Sequence, residues 1–163
     1  MTVRHIALLA IVACAAAGCQ DPYHERSAAV PTAPRRTAAP SSVADTATEF
    51  AKSWINWTWN TLPHQQRALA RLAGGRLAAG LRADADAAAR DETLARDKPA
   101  NRGTVAAISL NPSPGSARGL VVTHERTYTN GHADLGGARY RVYRVAISAS
   151  HDGWTVTEWA PQP

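Results

Sequence analysis

The sequence predicts an α+β domain: three N-terminal helices followed by a curved four-stranded antiparallel sheet wrapped on helix 1. Three observations predict it. Between Val43 and Trp57, apolar residues follow in steps of four, three, four and three (Val43, Ala47, Phe50, Trp54, Trp57), the spacing of one side of a helix, and Ala51 and Ile55 widen the stripe. From about Gly103 the pattern changes to segments rich in β-branched and aromatic residues. The links between those segments are short and rich in Gly, Pro, Asn and Asp, so neighbouring strands pair antiparallel.

The aromatic stripe, extended to Trp59, makes helix 1 the organising element, lying across the sheet. Asn60 or Thr61 can cap a second helix with Pro63 in its first turn, Leu69 and Leu72 on its buried side, and Gly74 and Gly75 at its end. A third helix carries Leu77, Leu81 and Ala85 on a narrow apolar line and runs toward Asp97, where Pro99 marks a break. Strands are expected over Thr104 to Leu110, Leu120 to Thr129, Ala138 to Ser150 and Trp154 to Ala160, as a meander. Leu, Ile, Val and Phe together make up less than a fifth of the 163 residues, so the five Trp and four Tyr must supply much of the core. Trp54, Trp57, Trp154 and Trp159 are the expected core aromatics.

The chain before helix 1 divides in two. Residues 1–18 have the layout of an export signal: Arg4 near the start, an apolar run from Ile6 to Ala17 and small residues at the end. That run is too short for a comfortable membrane span, which needs about twenty residues. Cys19, after Ala16, Ala17 and Gly18, resembles the lipobox cysteine of bacterial lipoproteins, which is diacylated and becomes the mature N-terminus. Cys14, after Ile11, Val12 and Ala13, fits the same short pattern but leaves a shorter apolar run, so Cys19 is preferred. An ordinary secreted protein with a free thiol, or a retained N-terminal helix, stands as the alternative. Residues 19–42 are rich in Pro, Ala and Ser and poor in large apolar side chains, which predicts a disordered tether ahead of the domain at 43–163.

Composition excludes several classes of function. With Cys14 removed and Cys19 acylated, no thiol is left for a disulfide or a metal. The six His fall in no metal-ligand spacing, and Gly74, Gly75 and Gly80 do not follow a strand as a phosphate loop requires. Without Arg4, 17 basic and 13 acidic side chains remain, and between Arg67 and Lys98 the two signs are interspersed. This is a solvated helical surface, not a nucleic-acid stripe. Neither a cofactor nor a nucleic-acid partner is expected.

The element order, the aromatic first helix and the closing Gly153, Trp154 and Val156 resemble the nuclear transport factor two-like, cystatin-like cone superfamily over about residues 42–163. With an exported anchor, the chain is most similar to the extracytoplasmic domains of conjugation and type IV secretion scaffold proteins, although those usually carry a transmembrane helix where this chain has a lipobox. The resemblance implies a non-catalytic interaction domain held on the extracytoplasmic face of a membrane by its lipid, with an envelope protein or a second copy as partner.

The same superfamily contains isomerases and dehydratases, which place a carboxylate or His in the mouth of the cone opposite a Tyr or a protonated acid. Asp45 and Glu49 on helix 1, His124, Arg126 and Tyr128 on the second strand, and Tyr140 and Arg144 on the third are candidates by residue type. None has a spacing that identifies chemistry, so no catalytic residue is assigned. Trp54 and Trp57, beside the mouth, and Arg126, Arg141 and Tyr143, on the long strands, are the expected ligand- or partner-binding residues. The alternative for the strand residues is cross-strand pairing with Glu125 and Glu158. A carrier of a small apolar ligand, using the mouth beside Trp54 and Trp57, is the other reading open at this point.

Overall fold

A computed structural model describes residues 42–163. The expected signal peptide, Cys14, Cys19 and nearly all of the expected tether lie outside the described residues. The order of elements is α1 (Val43–Ile55), β1 (Trp57–Thr58), α2 (Leu62–Leu72), α3 (Gly75–Ala88), α4 (Glu92–Asp97), β2 (Ala100–Ser113), β3 (Ser116–Thr129), β4 (His132–Ala133), β5 (Arg139–Ser150) and β6 (Gly153–Pro161). Four long strands form the expected antiparallel meander, in the order β2-β3-β5-β6, curled over the helices.

Helix α1 starts where Ser42 caps it, its hydroxyl oxygen accepting from the Asp45 N–H at 3.1 Å. Ala47, Phe50, Ala51 and Ile55 are fully buried, so the stripe read from the sequence is the core-facing side. The helix ends sooner than expected. Asn56 turns to extended geometry, and its side chain accepts from the Gly103 N–H at 3.1 Å and donates to the Gly103 C=O at 3.2 Å. It thereby occupies the place of one more strand residue beside β2. Trp57 is consequently not on the helix but in β1, opposite Asn101.

The third predicted helix is two. It breaks after Ala88, and Asp91 caps the short α4 by accepting from the Thr93 N–H at 2.9 Å. Asn111 to Gly119, expected as a loop, is mostly strand. β2 and β3 continue to a tight turn between Ser113 and Ser116, where Gly115 has a φ of 69°. Gly119 permits this, because a Cβ there would overlap the Ser109 carbonyl oxygen across the pair. Asn130 and Gly131, at φ 52° and 80°, make the primed turn that adds the two-residue β4 beside β3.

The core lies between the inner face of the sheet and helices α1 to α3. Val121, Val145, Ile147 and Val156 from the strands meet Phe50, Leu69 and Leu81 from the helices. Trp159 stacks on Tyr143 with ring centroids 4.8 Å apart and packs at 5.1 Å from Phe50 and 6.0 Å from Trp54. Of the four expected core tryptophans only Trp159 is fully in the core, while Trp54, Trp57 and Trp154 are half-buried.

Candidate functional site

At the C-terminal end of α1 the sheet and helices part around a cavity of about 360 Å³. Trp54, Trp57, Leu62 and Leu69 form its apolar wall, and Gln65, Gln66, Asn101, Glu125, Arg141 and Tyr143 its polar side. Strand parity explains who faces in. Asn101, Thr123, Glu125, Thr127, Arg141 and Tyr143 belong to cross-strand pairs on the inner face, in register Asn101–Thr127, Thr123–Arg141 and Val121–Tyr143. Four of the five expected binding residues, Trp54, Trp57, Arg141 and Tyr143, therefore meet at one cavity.

Arg126 does not. It sits on the outer face, paired in register with Arg102, and shares that face with Tyr140 and Arg144. The basic and aromatic residues of the long strands are thus divided between two surfaces. The cross-strand pairing expected for them is present on each. Arg144 Nε donates to Glu158 at 2.6 Å outside, and Arg141 Nε lies 3.8 Å from Glu125 inside. His124 rests against the Tyr140 ring at 4.7 Å on the outer face, away from the cavity.

The centre of the cavity's polar side is Glu125, 7% exposed. Its Oε1 accepts from the Thr123 hydroxyl at 2.5 Å and from the Tyr143 phenol at 2.9 Å. Its Oε2 accepts from the Asn101 amide at 3.0 Å and faces Arg141. Asn101 also donates to the Ile55 C=O at 2.8 Å, which ties the carboxylate to the end of α1. Burial, and then the neighbouring Glu125 charge, push the Tyr143 phenol up to about 12, so it remains a neutral donor. Gln65 donates to the Ser53 C=O at 2.9 Å and fixes α2 against α1 beside the opening. Gln66 Oε1 is buried with no hydrogen-bond partner among the described residues.

A carboxylate offers about four lone-pair positions. Here three accept hydrogen bonds and the fourth direction is faced by a guanidinium. The arrangement compensates and immobilises a buried charge, with the carboxylate oxygens already engaged by protein groups from three strands. Asp45, Glu49, His124, Arg126, Tyr128, Tyr140 and Arg144, the candidates by residue type, do not line the cavity.

No known protein family and no curated protein sequence matches the chain. Solved structures do. An IcmL-like type IV secretion system protein of Legionella pneumophila superposes with a TM-score of 0.59 at 10% identity, over 77% of this chain and 95% of that one. The likeness shows a shared fold, an α+β domain with a curled antiparallel sheet over helices, as expected apart from the extra helix and the two short strands. Among the other solved structures, an NTF2-like protein with a cystatin-like fold from Novosphingobium aromaticivorans aligns at 0.49 and 13% identity, over 72% of this chain and 79% of that one. The VirB8 protein of Agrobacterium tumefaciens aligns at 0.49 and 9% identity, over 80% and 96%.

Glu125, Thr123, Asn101, Gln65 and Gln66 were not singled out by the sequence as site residues. The alternation of Val121, Thr123 and Glu125 with Val122, His124 and Arg126 separates Glu125 from Arg126, but with a valine on each face it does not say which face is inner.

Proposed function

We propose that this chain is a lipid-anchored, non-catalytic interaction domain of a bacterial cell-envelope assembly of the secretion or conjugal-transfer kind. The observation that carries the non-catalytic reading is Glu125. The acid in the mouth of the cone is held by partners from β2, β3 and β5 and acts as a structural hub. The likeness of fold to a type IV secretion system protein supports the assembly role. The lipobox at Cys19 supports attachment to the extracytoplasmic face of a membrane. No helix among the described residues is long and apolar enough to cross one.

The decisive experiment is purification of the full-length acylated protein from its own cells after mild crosslinking, with identification of what it retains by mass spectrometry. Defined envelope proteins in near-stoichiometric amounts are expected, and recovery of the protein alone would overturn the reading. Cys19→Ser should move the protein out of the membrane fraction. Retention there would instead make Ile6 to Ala17 a membrane helix.

A second reading, a carrier of a small ligand, is favoured by one observation. The cavity beside Trp54 and Trp57 combines an apolar wall with a buried acceptor, Gln66 Oε1, that no group of the described residues satisfies. An apolar ligand bearing one N–H or O–H should change tryptophan emission in the wild type and not in Gln66→Leu. Equal responses would remove this reading.

A further inference from the structure

We infer that the open edge of β2 is a self-pairing surface, through which two copies of this chain join their sheets antiparallel about a two-fold axis near Ser109. The inference rests on the envelope-assembly reading only for the second copy being held nearby, since anchored chains share one membrane surface.

β2 has β3 on one side along its whole length, but β1 covers only Ala100 and Asn101 on the other. Asn56 extends that cover to Gly103 with its side chain. From Thr104 to Ser113 no main-chain group of the described residues pairs with this edge. Proteins normally protect such an edge with charges, prolines, bulges or a covering element. Here no charged residue occurs from Gly103 to Ala117. The protection present is local: a bulge between Val105 and Ala107, and Pro112 near the far end. Ala107 to Asn111 is left as a regular, uncharged strand, with Ala107, Ser109 and Asn111 exposed.

The register states which groups are available. Gly103 turns its N–H and C=O outward, toward Asn56, and lies opposite Glu125. Residues opposite Thr123, Val121 and Gly119 repeat that orientation, because antiparallel pairs alternate between hydrogen-bonded and non-hydrogen-bonded. Beyond the bulge these are Ile108 and Leu110. In a two-fold pairing, Ile108 of each copy meets Leu110 of the other, exchanging about four main-chain hydrogen bonds, and Ser109 faces Ser109.

A second copy is the occupant for two reasons. The open stretch of β2, Thr104 to Ser113, carries no charge, so two identical edges meet there without like-charge contact although the whole chain is basic, with a formal charge of +5. The opposite edge of the sheet is partly closed: the Gly74 N–H donates to the Val156 C=O at 2.9 Å, and Ala73 bridges to Val156. With the β2 edge as the long free one, pairing ends at a closed dimer and does not propagate.

The test uses the full-length chain carrying Cys14→Ser and Cys19→Ser. Sedimentation equilibrium should give twice the mass of the chain, and Ser109→Lys, which sets two ammonium groups face to face, should give the mass of the monomer with unchanged circular dichroism. Ser109→Cys should form a disulfide-linked dimer under mild oxidation, because directly opposed non-hydrogen-bonded positions place their Cβ atoms within bridging distance. Ala79→Cys, exposed on α3, should not. A monomeric parent chain, a dimer that survives Ser109→Lys, or equal crosslinking from Ala79→Cys would overturn the inference. Loss of envelope partners in the crosslinking experiment, with the dimer intact, would count against the assembly reading alone.

Discussion

Truncating Glu125 strands three donors at once: the Thr123 hydroxyl, the Tyr143 phenol and the Asn101 amide. Each buried group left unpaired costs about 1–3 kcal/mol, partly recovered by water entering the cavity. Glu125→Ala should therefore lose about 2–4 kcal/mol in urea unfolding, and a loss below about 1 kcal/mol would show that the carboxylate is not the hub described. Tyr143 offers an independent check. Its folded pKa, about 12, lies above the ordinary phenol value. The stabilisation linked to it is complete below the unfolded value near 10 and disappears as pH rises through about 12. The melting temperature should fall over that interval, and by less in Tyr143→Phe. A late-titrating phenolate in the ultraviolet absorbance of the wild type should be missing from the variant.

Sequence made the elements legible to different degrees. The buried face of α1 could be read because 3.6-residue periodicity is a local property, and Ala47, Phe50 and Ile55 are where it puts them. The end of that helix could not, because Asn56 stops it by bonding Gly103, 47 residues away. Trp57 continues the helical spacing by coincidence and falls on β1. Glu125 was hidden for the same reason, since its partners Asn101 and Tyr143 come from the neighbouring strands. Trp54, Trp57, Arg141 and Tyr143 were legible as residue types suited to binding, while the separation of Arg126 from them needed the strand parity. Asn56→Ala should cost about 1–3 kcal/mol and speed amide exchange at Gly103. An unchanged exchange rate there would mean the side chain is not holding the edge.

Helices and sheet share one core, in which Phe50 of α1 touches Trp159 of β6 at 5.1 Å and α3 contributes Leu81 to the same cluster. No layer is stable without the other, so far-ultraviolet circular dichroism and tryptophan emission should report one coincident transition. Separate midpoints would show that the helices leave the sheet before it melts. Phe50→Ala, at the fully buried centre, should lower stability by about 3–5 kcal/mol. The cavity lies at one end of this core, where the helices no longer cover the inner face, so a polar network can sit beside an apolar wall without interrupting the packing. Trp159, stacked on Tyr143 beside that network, has an indole Nε1 that is buried without a hydrogen-bond partner among the described residues. An indole whose nitrogen is buried and lacks a protein acceptor among the described residues has few mobile dipoles to relax around its excited state. Its emission should lie at the blue edge of the protein's spectrum, making one side chain an optical gauge of whether water has reached the core.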